Sequence, residues 1–272
     1  MKENVERYGG IPIMVEDEWG TKIDINKVEE TLKLNQDAKI VAFVHAETST
    51  GVKSDPEALS KLAHTYNCLS IVDTVTGLAG VPLLVDEWEI DAVYSGTQKC
   101  LSASPGLSPI SFSKKAKEKI QNRTTKVRSW FHDLNLIMSY WEGEGARSYH
   151  HTAPINALYG LHEALLILSE EGIENSWKRH LENHILLREG LEQIGINFLV
   201  NKDDRLPQLN TIFIPEGVDD PKTRSKLLNE YNLEIGAGLG TLAGKVWRIG
   251  LMGHSSNKQN IEHCLSSIAK VI

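Results

Sequence analysis

The chain has 272 residues, a length that fits one large domain or two modest ones. Hydrophobic residues make up 41% of it and charged residues 24%, which is typical of a globular protein and not of a disordered or fibrous one. The formal net charge is −7 and no dense basic tract is present, so we expect no nucleic-acid partner. No apolar run reaches the roughly 20 residues that span a bilayer, and the opening MKENVERYGG lacks the apolar core of a signal peptide. We therefore expect a cytoplasmic protein without membrane contact.

The three cysteines are Cys68, Cys100 and Cys264. They are too few and too widely spaced for a disulfide framework or a zinc cluster. We expect buried free thiols and no metal site.

Strand and helix patterns alternate in the first half of the chain. A short apolar run rich in β-branched residues, 38–46, predicts a buried strand. Asp55 and Pro56 then form the cap and the first position of a helix. Further strands are predicted at 68–73, 91–96 and 108–113. This order predicts an α/β fold with a parallel or mixed sheet that helices cover on both faces.

The second half of the chain has a long helical pattern followed by short strands and helices. From 154 to about 194 the pattern is helical, with an interruption at Gly172. Later strands are predicted at 196–200, 209–214, 233–238 and 245–251, and helices at about 220–231 and 256–270. We predict a partial large α/β domain over 1–150, a linking helix over 151–175 and a small α+β domain over 176–272.

Two polar side chains, Asp73 and Lys99, come at or just after the ends of predicted strands. Ligands of open α/β sheets gather at the carboxyl ends of the strands. A lysine shielded from water loses its proton more easily, and a neutral amine can attack a carbonyl to form a Schiff base. A carboxylate facing it can hold a protonated ring nitrogen, so the pair matches the needs of pyridoxal phosphate. From these residues alone, a turn-capping aspartate and a solvated lysine remain open.

Five segments that contain or flank these residues resemble one enzyme family in their order and spacing. They are HAETSTGV (45–52), IVDTVTGLAGVPL (71–83), YSGTQKCLSASPGLSPISFS (94–113), YHHTAPINALYGLHEAL (149–165) and VWRIGLMG (246–253). Together they resemble the alanine–glyoxylate and serine–pyruvate aminotransferases, which are class V aminotransferases of the fold-type I pyridoxal phosphate enzymes. The resemblance implies a large mixed-sheet domain, a smaller C-terminal α+β domain and pyridoxal 5'-phosphate as cofactor. It also implies transfer of an amino group from alanine or serine to glyoxylate or pyruvate.

The same resemblance implies roles for single residues around the cofactor. Lys99 would hold the cofactor and move a proton at the substrate α-carbon. Asp73 would keep the pyridine nitrogen protonated, and Val75, two residues further on, would pack under the ring. Thr48 would lie near the phenolic oxygen of the ring, and Gln98 would reach the phosphate.

Three further residues would bind the substrate or serve a second subunit. Arg248 would hold the substrate α-carboxylate, because a guanidinium offers a bidentate fork. Tyr149 and Thr152 resemble the pair that reaches the phosphate in the neighbouring subunit. The resemblance therefore implies a homodimer with an active site built from two chains, acting on amino acids and 2-oxo acids.

The resemblance begins inside the family's large domain. The family's chains carry an earlier segment, in which a glycine-rich turn and a helix N-terminus hold the phosphate and an aromatic residue stacks on the ring. A helix N-terminus supplies much of such a phosphate site. We therefore expect that the N-terminal part of the family's chain is missing and that this sequence is a fragment.

Four alternatives stay open. Cysteine desulfurases share the fold, but that family has histidine before its lysine, where Gln98 stands here. The 3-hydroxykynurenine and 2-aminoethylphosphonate transaminases are nearer relatives, although Arg248 favours a substrate with an α-carboxylate. The last alternative is an inactive, cofactor-free dimerising fragment.

Overall fold

The computed structural model describes residues 1–142 and 148–272 as a mixed α/β structure. The elements of its first half are α1 (Lys2–Arg7), α2 (Ile25–Leu34), β1 (Ile40–Val44), β2 (Ala46–Glu47), β3 (Val52–Lys53), α3 (Pro56–Thr65), β4 (Leu69–Asp73), β5 (Ala92–Tyr94), β6 (Ile110–Phe112), α4 (Lys114–Gln121) and α5 (Leu134–Glu142). Those of its second half are α6 (Ile155–Glu171), α7 (Ile173–Gln193), β7 (Leu209–Phe213), α8 (Asp220–Tyr231), β8 (Gly236–Ala237), β9 (Val246–Gly250) and α9 (Lys258–Val271).

The first sheet has the strand order β1-β4-β5-β6. Strands β1, β4 and β5 are parallel, and β6 is antiparallel to β5, so the predicted mixed sheet is confirmed. Its register pairs Val44 with Asp73 and Asp73 with Tyr94. Three parallel strands therefore end side by side, and the chain after each of them leaves from one edge of the sheet.

Helices α2 and α3 cover one face of this sheet. Leu59 and Ala63 of α3 pack on Val72 of β4 in a continuous core. The predicted helix start is confirmed, since the Asp55 carboxylate accepts from the Ala58 N–H at 3.0 Å and Pro56 is the first helical residue.

The opposite face is covered only in part, which corrects the expectation of helices over both faces. A groove of about 330 Å³ lies there between the sheet and the segment that contains α4 and α5. Strand β1 is at the edge of the sheet and leaves Ile40 51% exposed, so it is not the fully buried strand that its composition predicted.

The second sheet has the order β7-β9-β8 and is antiparallel throughout. Trp247 is fully buried between this sheet and its helices, and its indole N–H donates to Asp220 at 2.8 Å. The predicted strand at 196–200 is wrong, because only a single bridge forms there, between Phe198 and Ile212. The strand predicted over 233–238 shrinks to Gly236–Ala237.

The helical stretch that breaks at Gly172 is present as α6 and α7, with Gly172 at a φ of +83°. The three cysteines are buried and free, as predicted. Helices α2 and α5 were not predicted. In the described part of the chain, no helix combines the length and the apolar character needed to cross a bilayer.

Replacing Leu59 with alanine is expected to lower the free energy of unfolding by about 2–5 kcal/mol, because it leaves a cavity under the first sheet. Leu59 is 1% exposed. The measurement is urea denaturation followed by circular dichroism. Leu34, which is 85% exposed at the end of α2, provides the control. We expect Leu34→Ala to change stability by less than about 0.5 kcal/mol, and equal losses in the two variants would contradict this account of the core.

Candidate active site

The Asp73 carboxylate is held in a fixed orientation at the end of β4. One of its oxygens accepts from the Val75 N–H at 2.9 Å, and the other accepts from the Tyr94 hydroxyl at 2.7 Å. Burial, assisted by the hydrogen bond to Asp73, raises the pKa of Tyr94, so the phenol stays a donor at neutral pH. The carboxylate is only half-buried, and its free lone pairs can still accept from a ligand.

Lys99 lies in a compact turn just after β5, the strand next to β4. The Thr97 hydroxyl closes this turn by donating to the Ser104 carbonyl at 2.7 Å, and the Ser102 N–H donates to the Lys99 carbonyl at 3.0 Å. Lys99 is half-buried, and within residues 1–142 and 148–272 its amine makes no ion pair. Because β4 and β5 are parallel neighbours, Asp73 and Lys99 come from the same edge of the sheet.

Thr48 connects this edge with Arg248 of β9. Its hydroxyl is 2.6 Å from the Thr76 hydroxyl in the loop after β4, and its carbonyl accepts from Arg248 Nη1 at 3.1 Å. Arg248 Nε donates to the Ala237 carbonyl at 2.8 Å. The guanidinium thus contacts main-chain oxygens and no carboxylate in the described residues. Burial lowers the pKa of Arg248, an effect that the charge of Glu47 opposes. A half-buried cation without an ion pair is suited to bind an anion.

Val75 and Gln98 both pack closely against Gly96. A Cβ atom at Gly96 would lie 2.7 Å from Gln98 Oε1 and 3.4 Å from a Val75 methyl carbon. The Gln98 amide can therefore lie this close to the main chain only because residue 96 has no side chain. Gln98 itself is exposed, so its amide is available to a ligand.

Tyr149 and Thr152 do not join this group. Their hydroxyls hydrogen bond to each other, and the Tyr149 ring packs edge-on against Tyr140. Tyr149 is 64% exposed. Among the described contacts, neither residue touches Asp73 or Lys99.

Sequence reasoning missed three residues that organise the site: Tyr94, Thr76 and Gln208. Gln208 is fully buried, and its amide donates to the Thr76 carbonyl at 2.8 Å. Tyr94 had a usable signal, because it is the last residue of the strand that precedes the lysine turn. Gln208 had none, since it lies far along the chain and its contact depends on how the two sheets meet.

A family comparison decides the assignment. The family model described as aminotransferase class V matches residues 4–263. The chain belongs to the class V aminotransferase family. The predicted family and the predicted fold-type I architecture are thereby confirmed.

Individual relatives of this family are similar over almost all of the chain. The alanine–glyoxylate aminotransferase of Rattus norvegicus is 38% identical over 99% of this chain and 66% of its own length. That of Callithrix jacchus is 41% identical over 89% and 59%. The chain therefore spans between 59% and 66% of the length of these two curated relatives.

Solved structures give the same result. The alanine–glyoxylate aminotransferase of Nostoc sp. matches with a TM-score of 0.95 and 44% identity, over 99% of this chain and 71% of its own. The ureidoglycine–glyoxylate aminotransferase of Bacillus subtilis matches with a TM-score of 0.95 and 37% identity, over 99% and 69%.

Class V aminotransferases are pyridoxal phosphate enzymes, and the residues described above fit that cofactor. The fixed Asp73 carboxylate suits a protonated ring nitrogen, and the Lys99 amine suits an aldehyde carbon. Gly96 lets the Gln98 amide lie close to the main chain beside Val75, and a Cβ at residue 96 would displace that amide. The Thr48 hydroxyl adds a hydrogen-bonding group near the same edge.

Proposed function

We propose that the protein is a pyridoxal phosphate-dependent aminotransferase that moves an amino group from alanine or serine to glyoxylate or pyruvate. The observation that carries the proposal is the shared edge of the parallel neighbours β4 and β5, from which come both an oriented carboxylate and a lysine that makes no ion pair among the described residues. The similarity to alanine–glyoxylate aminotransferases of rat and Nostoc supports the substrate class. We also propose a cytoplasmic homodimer.

Lys99 and Asp73 would divide the chemistry between them. Pyridoxal phosphate, when bound, supplies an electron sink that stabilises negative charge on the substrate α-carbon. Lys99 would anchor the cofactor covalently, and its released neutral amine would then move the proton of the α-carbon. Asp73 would hold a proton on the ring nitrogen, because a carboxylate stabilises an adjacent positive charge. Tyr94 and the Val75 N–H keep that carboxylate oriented.

Arg248 would orient the amino acid. The guanidinium already donates to the carbonyls of Thr48 and Ala237. Its remaining N–H groups can donate to an α-carboxylate. Val75 would support one face of the ring, Thr48 would donate to the phenolic oxygen, and Gln98 would contact the phosphate.

The phosphate site would be completed by a second subunit. Tyr149 and Thr152 already form a hydroxyl pair, and Tyr149 is exposed, so the pair is accessible to another chain. We propose that this pair serves the neighbouring chain, so that each active site draws on two subunits.

A second candidate substrate is ureidoglycine with glyoxylate as acceptor. It is favoured by the similarity to the Bacillus subtilis enzyme, which is 34% identical over 100% of this chain and 69% of its own length. An aminophosphonate is disfavoured, because it offers Arg248 no α-carboxylate. A cofactor-free dimerising fragment is the non-enzymatic alternative, motivated by the shorter span of this chain relative to its relatives.

The test combines cofactor labelling with a substrate screen. The purified chain is mixed with pyridoxal phosphate, reduced with borohydride and mapped by peptide mass spectrometry. Alanine, serine and ureidoglycine are then compared as donors, with glyoxylate and pyruvate as acceptors. Label on Lys99 together with turnover of alanine or serine would support the proposal. Turnover of ureidoglycine alone would replace the substrate, and label scattered over surface lysines would favour the inactive fragment.

A further inference from the structure

One face of α7 contacts the loop after Asp73 and the segment that follows Arg248. We call it the α7 anchor face, and it consists of Ser176, Arg179, His180 and Asn183. His180 is fully buried and Ser176 is 1% exposed. Asn183 is also buried and Arg179 is half-buried, and among the described contacts none of the four residues touches Asp73 or Lys99.

The anchor face holds both main-chain polar groups of Gly253. The Gly253 N–H donates to His180 Nε2 at 2.9 Å, and Arg179 Nη1 donates to the Gly253 carbonyl at 2.8 Å. Asn183 donates to the Ser256 carbonyl at 2.8 Å, three residues further along. Because Gly253 follows Arg248 by only five residues, these bonds fix the end of the segment that carries the arginine.

Gly253 also touches the turn that carries Lys99. Its φ is +56°, and a Cβ there would lie 1.9 Å from Ser102 Oγ and 2.8 Å from the Cys100 carbonyl oxygen. The next residue, His254, donates its N–H to Ser102 Oγ at 2.8 Å. Ser102 has a φ of +60°, an unfavourable value for a residue with a side chain. The turn that carries Lys99 therefore packs against the segment around Gly253, whose main chain hydrogen bonds to His180.

The loop after Asp73 is tied to the same helix. The Ser176 hydroxyl donates to the Ala79 carbonyl at 2.8 Å, and Ala79 has a φ of +68°. Backbone strain of this kind persists only where the surroundings determine it, and it clusters at functional sites. The α7 anchor face thus holds the aspartate loop directly, and it holds the lysine turn through Gly253.

His180 has a single tautomer that satisfies these contacts. Its Nδ1–H donates to the Ser176 carbonyl at 2.7 Å, which leaves Nε2 as the acceptor for the Gly253 N–H. We propose that His180 is a positioning residue, which fixes Arg248 relative to Lys99 by holding the Gly253 main chain against the lysine turn. This inference rests on the proposed function and adds to it a residue that touches neither substrate nor cofactor. Burial lowers the pKa of His180, in keeping with a neutral ring.

Two substitutions of His180 distinguish a positioning role from a general contribution to folding stability. His180→Gln places an amide oxygen near the position of Nε2 and can still accept from Gly253. His180→Asn keeps a donor near Nδ1 for the Ser176 carbonyl but offers Gly253 no acceptor. Both remove the imidazole, so their urea-unfolding curves serve as a matched control for the loss of packing.

Two readouts are measured on both variants and on the wild-type chain. One is amide hydrogen exchange of the peptide that contains Gly253, without cofactor or substrate. The other is KM for the amino donor, together with the yield of borohydride label on Lys99. We expect His180→Asn to speed the exchange and raise KM about tenfold relative to His180→Gln, since one buried donor loses its acceptor. The Lys99 label should be equal in the two variants.

The outcomes are distinguishable. Equal exchange in the two variants, or faster exchange in His180→Asn with an unchanged KM, would overturn the positioning role. A wild-type chain that takes up label at Lys99 but turns over no amino acid would reject the proposed function instead. In that case the exchange comparison still decides whether His180 holds Gly253.

Discussion

Lys99→Ala is expected to abolish transamination, with a fall in kcat of at least about 10³-fold. The substitution removes both the anchor for the cofactor and the amine that would move the proton of the substrate α-carbon. The Lys99 side chain makes no ion pair among the described residues, so its loss leaves no charged partner uncompensated and the fold should be retained. The measurement is the rate of pyruvate formation from alanine and glyoxylate, alongside borohydride labelling.

The control for Lys99→Ala is Lys115→Ala. Lys115 is an exposed residue of α4 that makes no described contact with Asp73 or Lys99. We expect wild-type turnover and an unchanged Lys99 label in this variant. Turnover above about one tenth of the wild-type rate in Lys99→Ala would remove Lys99 from the mechanism.

Asp73→Asn is expected to lower kcat by roughly 10²- to 10³-fold with little change in stability. An amide is nearly the same size as the carboxylate, and its oxygen can still accept from the Val75 N–H. What disappears is the negative charge that would keep a ring nitrogen protonated. The measurement is kcat with saturating alanine and glyoxylate, combined with the absorbance spectrum of the bound cofactor.

Tyr94→Phe provides the matched control for Asp73→Asn. It removes the 2.7 Å hydrogen bond to the same carboxylate but leaves the charge in place. A hydrogen bond to a charged group contributes about 1.5–3 kcal/mol to stability, but the carboxylate keeps its charge and its bond from the Val75 N–H, so we expect a loss of kcat of no more than about tenfold. If both variants lost activity equally, orientation and not charge would be the contribution of Asp73.

The first sheet could be predicted from sequence because its strands carry strong local signals. The β-branched run of 68–73 and the Asp55–Pro56 cap are local patterns, and both appear where they were expected. The exposure of β1 could not be predicted, because the burial of an edge strand depends on what packs beside it and not on its own composition. Phe198 shows the same limit, since a strand-like sequence there forms only one bridge.

The candidate site was predictable to the extent that its residues sit at strand ends. Asp73 and Lys99 were located by this rule, whereas Gln208 and His180 were not, because their contacts join segments that are far apart in sequence. Tyr149 and Thr152 were predicted as cofactor ligands, and they stay predictions: within one chain they contact each other and the neighbouring aromatic residues. The spacing of residues along one sequence does not indicate which of them contact a second subunit.

The way in which Arg248 is held has an evolutionary consequence. Its partners are the carbonyl oxygens of Thr48 and Ala237, and every amino acid provides such an oxygen. Mutation at positions 48 and 237 therefore leaves the acceptors of the guanidinium intact. Lineages can change the side chains around the arginine, and with them the preferred amino acid, without first rebuilding the group that would bind the carboxylate.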